Sequence, residues 1–139
     1  MENRKSKSNN IILDSFALLA YFGDEKGRNY IETLLKDGLE KKCFLYMTVI
    51  NLGEVMYIIE RERGLPEAQL VLSKIKELPI EIVVVGENLT LGAAHIKANY
   101  SIAYADCIAA SLTLAKNAII VTGDPEFKKI EEVVNIYWL

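Results

Sequence analysis

Short apolar runs alternate along this chain with longer segments of helical periodicity, and this alternation constrains the fold more than any other feature. Strands are predicted at residues 11–14, 44–48, 80–85, 118–122 and 134–137. Helices are predicted between them, at residues 16–21, 30–39, 49–64, 65–78, 88–99 and 105–117. Strands that are apolar on both faces and alternate with helices are typical of a parallel sheet that helices cover on both sides. We therefore predict an α/β fold, a single-domain three-layer sandwich with a central parallel sheet.

The length and the composition indicate one globular domain. A chain of 139 residues that is 51% hydrophobic and 25% charged can bury the core of a single domain. We expect residues 1–10, which are basic, to form a flexible tail and residues 11–139 to form the folded domain. The basic tail and the apolar run after it resemble a signal peptide, but Asp14 interrupts the run and no small-residue cleavage site follows. Because no apolar run is long enough to span a membrane, we expect a cytoplasmic protein.

The cysteines and the histidine exclude several common catalytic sites. Cys43 and Cys107 lie far apart without a CxxC pair, which fits two buried thiols in a reducing compartment. His95 is the only histidine, so a zinc site of the usual kind cannot form, and a catalytic triad would depend on this one residue. The surrounding GAAHIKAN is typical of a helix surface, so we interpret His95 as structural. The chemistry that remains is that of carboxylates.

Four acidic residues are predicted to meet at one edge of the sheet. Asp14 and Asp124 directly follow the first and fourth strands, and Glu54 lies in the first two turns of the helix after the second strand. Asp106 opens the helix that returns to the fourth strand through a tight turn, so it starts at the same edge. In open α/β sheets, ligands bind outside the carboxyl ends of the strands, where the strand order reverses. The sequence therefore predicts an acidic pocket at this edge.

Each of these acids also has an ordinary explanation on its own. Asp14, Asp106 and Asp124 could cap helices, with Pro125 at the first helical position after Asp124. Glu54 could be a solvated helix residue, although apolar residues surround it in LGEVMYII and a buried carboxylate needs a partner. Four carboxylates in one cleft repel each other unless a cation neutralises them, and oxygen ligands favour Mg²⁺ or Mn²⁺. Such an ion activates water and stabilises the charge of a phosphoryl transition state.

Three segments of the sequence resemble the acidic motifs of one protein family. IILDSFALLAYF, VINLGEVMYIIE and YADCIAASLTLAKNAIIVTGDPEFKKI are similar to the motifs of the PIN-domain ribonucleases, and especially of the VapC-like toxins of toxin–antitoxin modules. The resemblance extends from about Ile11 to the C-terminus, and the block that contains TGDPEF is its most specific part. It implies a strand order of 3-2-1-4-5, in which Asp14 and Asp124 follow adjacent strands.

The resemblance also implies an activity, a cofactor and partners. Residues 11–139 would form a PIN-like nuclease domain, an endoribonuclease that hydrolyses RNA phosphodiester bonds by metal-activated water. One or two Mg²⁺ or Mn²⁺ ions would be bound by Asp14, Glu54, Asp106 and Asp124, with Thr122 as a supporting polar group. Asn51, one turn before Glu54, either orients that carboxylate or is an ordinary exposed residue. The implied partners are an RNA substrate, a cognate small antitoxin protein and a second copy of the chain in a homodimer.

The net charge does not indicate the basic surface of a typical nucleic-acid-binding protein. The whole chain carries a charge of −3, of which the four predicted site acids contribute −4, so the rest of the chain sums to +1. A bound metal ion would supply the missing positive field. Phosphate contacts are expected from the basic tail and from Arg61, Arg63, Lys128 and Lys129.

Other functions remain open for an α/β domain with an acidic edge. A receiver-like module that binds Mg²⁺ needs paired acids after the first strand, and a phosphatase needs an Asp-x-Asp motif. The segment Asp14-Ser15-Phe16 provides neither of them. The third alternative is a PIN-like domain that no longer cuts and serves as a binding scaffold, and the complete set of acids argues against it.

Overall fold

The structure is a computed structural model, and it describes residues 8–139. The strands in this range are β1 (Asn10–Leu13), β2 (Phe44–Thr48), β3 (Ile80–Val83), β4 (Ile119–Thr122) and β5 (Asn135–Trp138). The α-helices are α1 (Ser15–Phe22), α2 (Arg28–Leu39), α3 (Val49–Arg63), α4 (Leu65–Glu77), α5 (Glu87–Asn99) and α6 (Tyr104–Ala115), and a 3-10 helix (Pro125–Ile130) joins β4 to β5. We predicted a flexible basic tail at residues 1–10. Residues 1–7 of this tail lie outside the described residues, and β1 begins at Asn10.

All five strands form one parallel sheet in the order β3-β2-β1-β4-β5. This is the predicted fold class and the predicted strand order, and both are confirmed. The order reverses between β1 and β4, which pair directly, with Leu13 opposite Val121. Asp14, which follows β1, and Thr122, the last residue of β4, therefore lie beside each other at the carboxyl edge.

Two separate hydrophobic cores cover the two faces of the sheet. Along β1, Ile11 and Leu13 face one core and Ile12 faces the other, because successive strand residues point to opposite faces. The first core is closed by helices α1 to α4 and the second by α5, α6 and the 3-10 helix. This is the three-layer arrangement that apolar strands with two buried faces predict.

The predicted bounds of the elements differ from the observed ones by a few residues. The third strand was expected to reach Val85, but β3 ends at Val83, the residue that pairs with Thr48 at the end of β2. Because β2 ends at Thr48, it has no strand residue that could pair with Val84, and Val84 is 79% exposed. The tight turn predicted before β4 is present, and Asn117 closes it in the left-handed region at a φ of 54°.

The remaining sequence-based expectations concern the thiols, the histidine and the membrane. Cys43 and Cys107 are both buried and free, as expected for structural thiols. His95 lies exposed on the surface of α5, as its neighbours predict. Among the helices of residues 8–139, none combines the length and the apolar character needed to cross a membrane.

Candidate active site

Asp14 is the most deeply buried of the four predicted acids. It directly follows β1 and keeps only 2% of its accessible surface. Its Oδ1 atom accepts a hydrogen bond from the backbone N–H of Ala17 at 3.0 Å, which caps α1. Its Oδ2 atom accepts a hydrogen bond from the hydroxyl of Thr122 at 2.5 Å. Asp14 is thus a helix cap, as its ordinary explanation holds, and it is also fixed at the edge where the sheet order reverses.

Thr122 connects Asp14 to the turn that carries Asp124. Its side chain is fully buried, and its hydroxyl oxygen also accepts a hydrogen bond from the backbone N–H of Asp124 at 3.0 Å. Asp124 is half-buried, and its Oδ1 atom accepts from the backbone N–H of Glu126 at 3.0 Å. This bond caps the 3-10 helix, in which Pro125 occupies the predicted first position. The TGD segment therefore holds two acids in one hydrogen-bonded unit.

Replacing Thr122 with valine tests this unit, because valine keeps the branched shape and removes the hydroxyl. The buried carboxyl of Asp14 and the backbone N–H of Asp124 each lose a partner, and an unsatisfied buried group costs about 1–3 kcal/mol. We expect the free energy of unfolding, measured by urea denaturation, to fall by about 2–3 kcal/mol. Thr122→Ser keeps both bonds and should stay within about 1 kcal/mol of the wild type.

Thr113 provides a matched control for this substitution. It is also a buried threonine, but its hydroxyl donates only to the carbonyl of Ala109 within α6. Thr113→Val should therefore destabilise the protein less than Thr122→Val. Equal losses of stability in the two variants would contradict the linking role of Thr122.

Glu54 is half-buried on α3, and Asn51 holds one of its oxygens. Thr48 caps α3 by accepting a hydrogen bond from the backbone N–H of Asn51 at 3.0 Å. The side chain of Asn51 is fully buried, and its Nδ2 atom donates to Oε1 of Glu54 at 2.8 Å. The alternative of an ordinary exposed Asn51 is therefore wrong. Among residues 8–139, the Oδ1 atom of Asn51 is the single buried side-chain polar atom without a hydrogen-bond partner.

Asp106 lies half-buried in the first turn of α6. The cap position of this helix is occupied by Ala103, which offers no side-chain hydrogen bond. The explanation of Asp106 as a helix cap is therefore wrong, because Asp106 lies three residues inside the helix. A carboxylate at this position still interacts favourably with the positive end of the helix dipole.

Burial and the charges of neighbouring acids raise the pKa of two of the predicted acids, Asp14 and Asp106. Burial raises the pKa of Asp14 to about 7, and the charges of Asp106 and Asp124 add to this effect, whereas the hydrogen bonds from Thr122 and Ala17 oppose it. Asp106 and Asp124 thus lie close enough to Asp14 for their negative charges to raise its pKa. Asp14, Asp106 and Asp124 therefore share one electrostatic environment.

The same effects act on Asp106 and bring in two further acids. Burial raises its pKa to about 7, with added repulsion from Asp124, Glu54 and Glu126. Two of the other predicted acids, Glu54 and Asp124, thus repel the Asp106 carboxylate. Glu126 was not among the predicted residues. Glu126 is exposed, and its carboxylate pairs with the ammonium group of Lys129 at 3.0 Å. The spacing of the two acids in TGDPE is the sequence signal that could have identified it.

The acids converge without forming a ready metal site. Within the described range of residues 8–139, no three His, Cys, Asp or Glu side chains are arranged to hold a metal ion. Several of the carboxylate oxygens face hydrogen-bond donors of the protein instead, namely those of Asp14, Glu54 and Asp124. These hydrogen bonds to donors offset part of the repulsion between the like charges.

The resemblance to the PIN-domain ribonucleases depends on the three acidic motifs, and the strand order that it implies is the observed one. The PIN domain family matches residues 11–133, which is most of the chain. The chain belongs to the PIN domain family. No curated protein matches this PIN domain in sequence.

Solved structures with the same fold are distant in sequence. VapBC2 from Rickettsia felis, bound to a DNA fragment from its promoter, has a TM-score of 0.74 and 19% identity, over 92% of this chain and 97% of that one. VapBC-1 from nontypeable Haemophilus influenzae has a TM-score of 0.69 and 16% identity, over 93% and 97%. VapC20 from Mycobacterium tuberculosis, a toxin that cleaves the sarcin-ricin loop, has a TM-score of 0.68 and 15% identity, over 85% and 92%. At such identities the likeness establishes the fold of this PIN domain.

Proposed function

We propose that this PIN domain is a metal-dependent endoribonuclease and the toxin of a toxin–antitoxin pair. It hydrolyses RNA phosphodiester bonds with Mg²⁺ or Mn²⁺ held by Asp14, Glu54, Asp106 and Asp124. What supports the proposal is that these four carboxylates, each buried or half-buried, lie on segments that begin or end at the carboxyl edge of the sheet in a PIN fold. The similarity to VapC20, a toxin that cleaves the sarcin-ricin loop, supports RNA as the substrate class.

The donor set of the site fits a hard divalent cation. All four side chains are carboxylates, and oxygen ligands without thiols or imidazoles favour Mg²⁺ and Mn²⁺ over zinc. The acids repel one another electrostatically, so an ion between them removes an unfavourable interaction. When bound, the ion supplies polarisation of water and offsets the negative charge that develops on the phosphate.

Hydrogen bonds within the chain fix the orientation of two of the carboxylates, those of Asp14 and Glu54. Thr122 and the N–H of Ala17 hold Asp14 in one orientation, and Asn51 holds Glu54. Side chains held in this way need little reorganisation when a charged ligand enters the site. Because the unpaired Oδ1 of Asn51 is costly in a buried position, the contact of this residue with Glu54 is the best account of its presence.

The chemistry predicts the ends of the RNA fragments. Attack by water on phosphorus breaks the P–O3′ bond and leaves a 3′ hydroxyl and a 5′ phosphate. The site offers carboxylates and no histidine base for the ribose 2′-OH, so transfer to a 2′,3′-cyclic phosphate is not expected. We expect RNA incubated with the protein and Mn²⁺ to give 5′-phosphorylated fragments, identified by mass spectrometry of the products.

Two controls accompany this experiment. EDTA should stop the cleavage, and Asp14→Asn, which keeps the shape and the cap of α1, should stop it in Mn²⁺. Fragments that end in a 2′,3′-cyclic phosphate, or equal cutting in EDTA and in Mn²⁺, would overturn the mechanism.

The proposed partners follow from the structures with the same fold. VapBC2 and VapBC-1 support a small cognate antitoxin that binds this PIN domain and blocks its acidic edge, and a homodimer of the chain is part of the same proposal.

Production of the wild type alone should slow the growth of a host, and co-production of the antitoxin from the neighbouring reading frame should restore it. Growth that the antitoxin does not restore would remove the partner from the proposal and leave the nuclease.

A further inference from the structure

Helix α1 has one exposed residue, and it lies at the end nearest the acids. Phe16 is 38% exposed, whereas every other residue of α1 is buried or half-buried. It stands two residues after Asp14, in the first turn of the helix that Asp14 caps. The part of the ring that stays accessible lies at the end of α1 where Asp14 caps the helix.

The ring of Phe16 lies against the backbone of the turn between the two acidic strand ends. A Cβ atom built on Gly123 would lie only 2.8 Å from Cζ and 3.1 Å from Cδ1 of the ring. Gly123 separates Thr122, which bonds Asp14, from Asp124. The glycine thus leaves room for the ring beside the acids, and a larger residue at this position would displace it.

Phe16 also borders a cleft that leads away from the acids. The cleft has a volume of about 240 Å³ and runs between α1 and the second half of α3, where Ile58 and Arg63 line it. Glu54 lies one turn before Ile58 on the same helix. The ring therefore lies between the TGD turn and this cleft.

The charges near this site do not explain how a polyanion would be held. Arg63 faces Glu67 at 3.9 Å, Arg61 lies over the ring of Tyr57 at 5.0 Å, and Lys129 pairs with Glu126. Arg63 and Lys129 thus share their charge with an acid, whereas Arg61 and the exposed Lys128 form no ion pair among the described residues. A nucleobase, in contrast, presents a neutral face that stacks on an aromatic ring without any need for a cation.

We infer that Phe16 is a substrate-binding residue, on which the base of an unpaired nucleotide next to the scissile phosphate stacks. The inference rests on the proposed nuclease function and assigns Phe16 a place in substrate binding. Bases in a duplex have both faces covered by their neighbours, whereas bases in loops and single strands are free to stack on aromatic side chains. The stacked base places the adjoining phosphate at the acids, because the ring lies beside Asp14 and the TGD turn.

The test is cleavage kinetics on a short single-stranded RNA in Mn²⁺. Phe16→Leu keeps an apolar side chain without an aromatic face, and we expect kcat/KM to fall about tenfold, mainly through KM, as loss of one stacked base predicts. Phe16→Trp keeps the face and should retain kcat/KM within about threefold of the wild type. Phe44→Leu is the matched control, since Phe44 is 47% exposed at the start of β2, on the opposite edge of the sheet, and its loss should change nothing.

An abasic substrate identifies the stacked nucleotide. Removal of the base beside the cleaved bond should slow the wild type by about the same factor as Phe16→Leu and should not slow that variant further. Equal kinetics of Phe16→Leu, Phe16→Trp and wild type on the intact RNA, or an abasic penalty that persists in Phe16→Leu, would overturn the inference while the nuclease function stands. A wild type that cleaves no RNA in Mn²⁺ would overturn the proposed function and the inference with it.

Discussion

Replacing Asp106 with asparagine will lower the rate of RNA cleavage by more than about a hundredfold and leave the fold intact. Substitutions of residues that only support metal ligands cost about 10–100-fold, so loss of a ligand carboxylate should exceed this range. Asp106 does not cap α6, and repulsion from Asp124 and Glu54 offsets the favourable interaction of its carboxylate with the helix dipole, so asparagine should be tolerated here. The rate is measured with labelled RNA in saturating Mn²⁺.

Glu67 provides the matched control for Asp106. It is also an acid in the first turn of a helix, but α4 follows the end of α3 and therefore starts at the opposite edge of the sheet. Glu67→Gln should leave cleavage unchanged. Cleavage by Asp106→Asn within a few-fold of the wild type, with a normal melting temperature, would exclude Asp106 from the site.

The metal-free protein will be more stable in mild acid than in mild alkali. The pKa of Asp14 and that of Asp106 are raised from 3.8 to about 7, chiefly by burial, so the folded state binds protons more tightly than the unfolded state. The stability associated with a raised carboxyl pKa is complete below the unfolded value and is lost as the pH rises through the folded value. A tenfold change in proton affinity corresponds to about 1.4 kcal/mol. We therefore expect the free energy of unfolding in EDTA to fall by a few kcal/mol between about pH 5 and about pH 8.

Asp14→Asn separates this effect from a general dependence on pH. The variant carries no charge at position 14 at any pH, so its stability should vary less steeply, and at about pH 8 it should exceed that of the metal-free wild type by about 1 kcal/mol or more. The measurement is urea denaturation in EDTA at a series of pH values. If the free energies of unfolding of wild type and Asp14→Asn changed with pH in parallel, the raised pKa of the buried Asp14 carboxyl would be contradicted.

The fold could be predicted because its strands and helices have strong local signals. The runs before Asp14 and Thr122 are apolar on both faces, which only a covered parallel sheet accommodates. The strand order came from the resemblance of the acidic motifs to a family, since periodicity does not determine which strands pair. The end of β3 was misplaced because Val84 and Val85 are as apolar as a strand requires, and only the length of the neighbouring strand β2 ends the pairing.

The candidate site could be predicted as a set of residues but not as a geometry. The position of each acid relative to a strand end or a helix start follows from the sequence, whereas the bond from Thr122 to Asp14 joins residues 108 positions apart. The burial of Asn51 was also beyond the sequence, because its side chain depends on the packing of α3 against the sheet. Asp106 was misjudged as a possible cap because the start of α6 is set by Ala103 and the chain before it.

The most direct test of the central claim is a thermal melt of the wild type and of Asp106→Asn, each in EDTA and in millimolar Mn²⁺. If the four carboxylates form one metal site, Mn²⁺ binds the folded state alone and raises the melting temperature of the wild type, while Asp106→Asn shows a much smaller shift or none. Glu67→Gln should respond to Mn²⁺ as the wild type does. A wild-type melting temperature that is the same in EDTA and in Mn²⁺ would contradict the account.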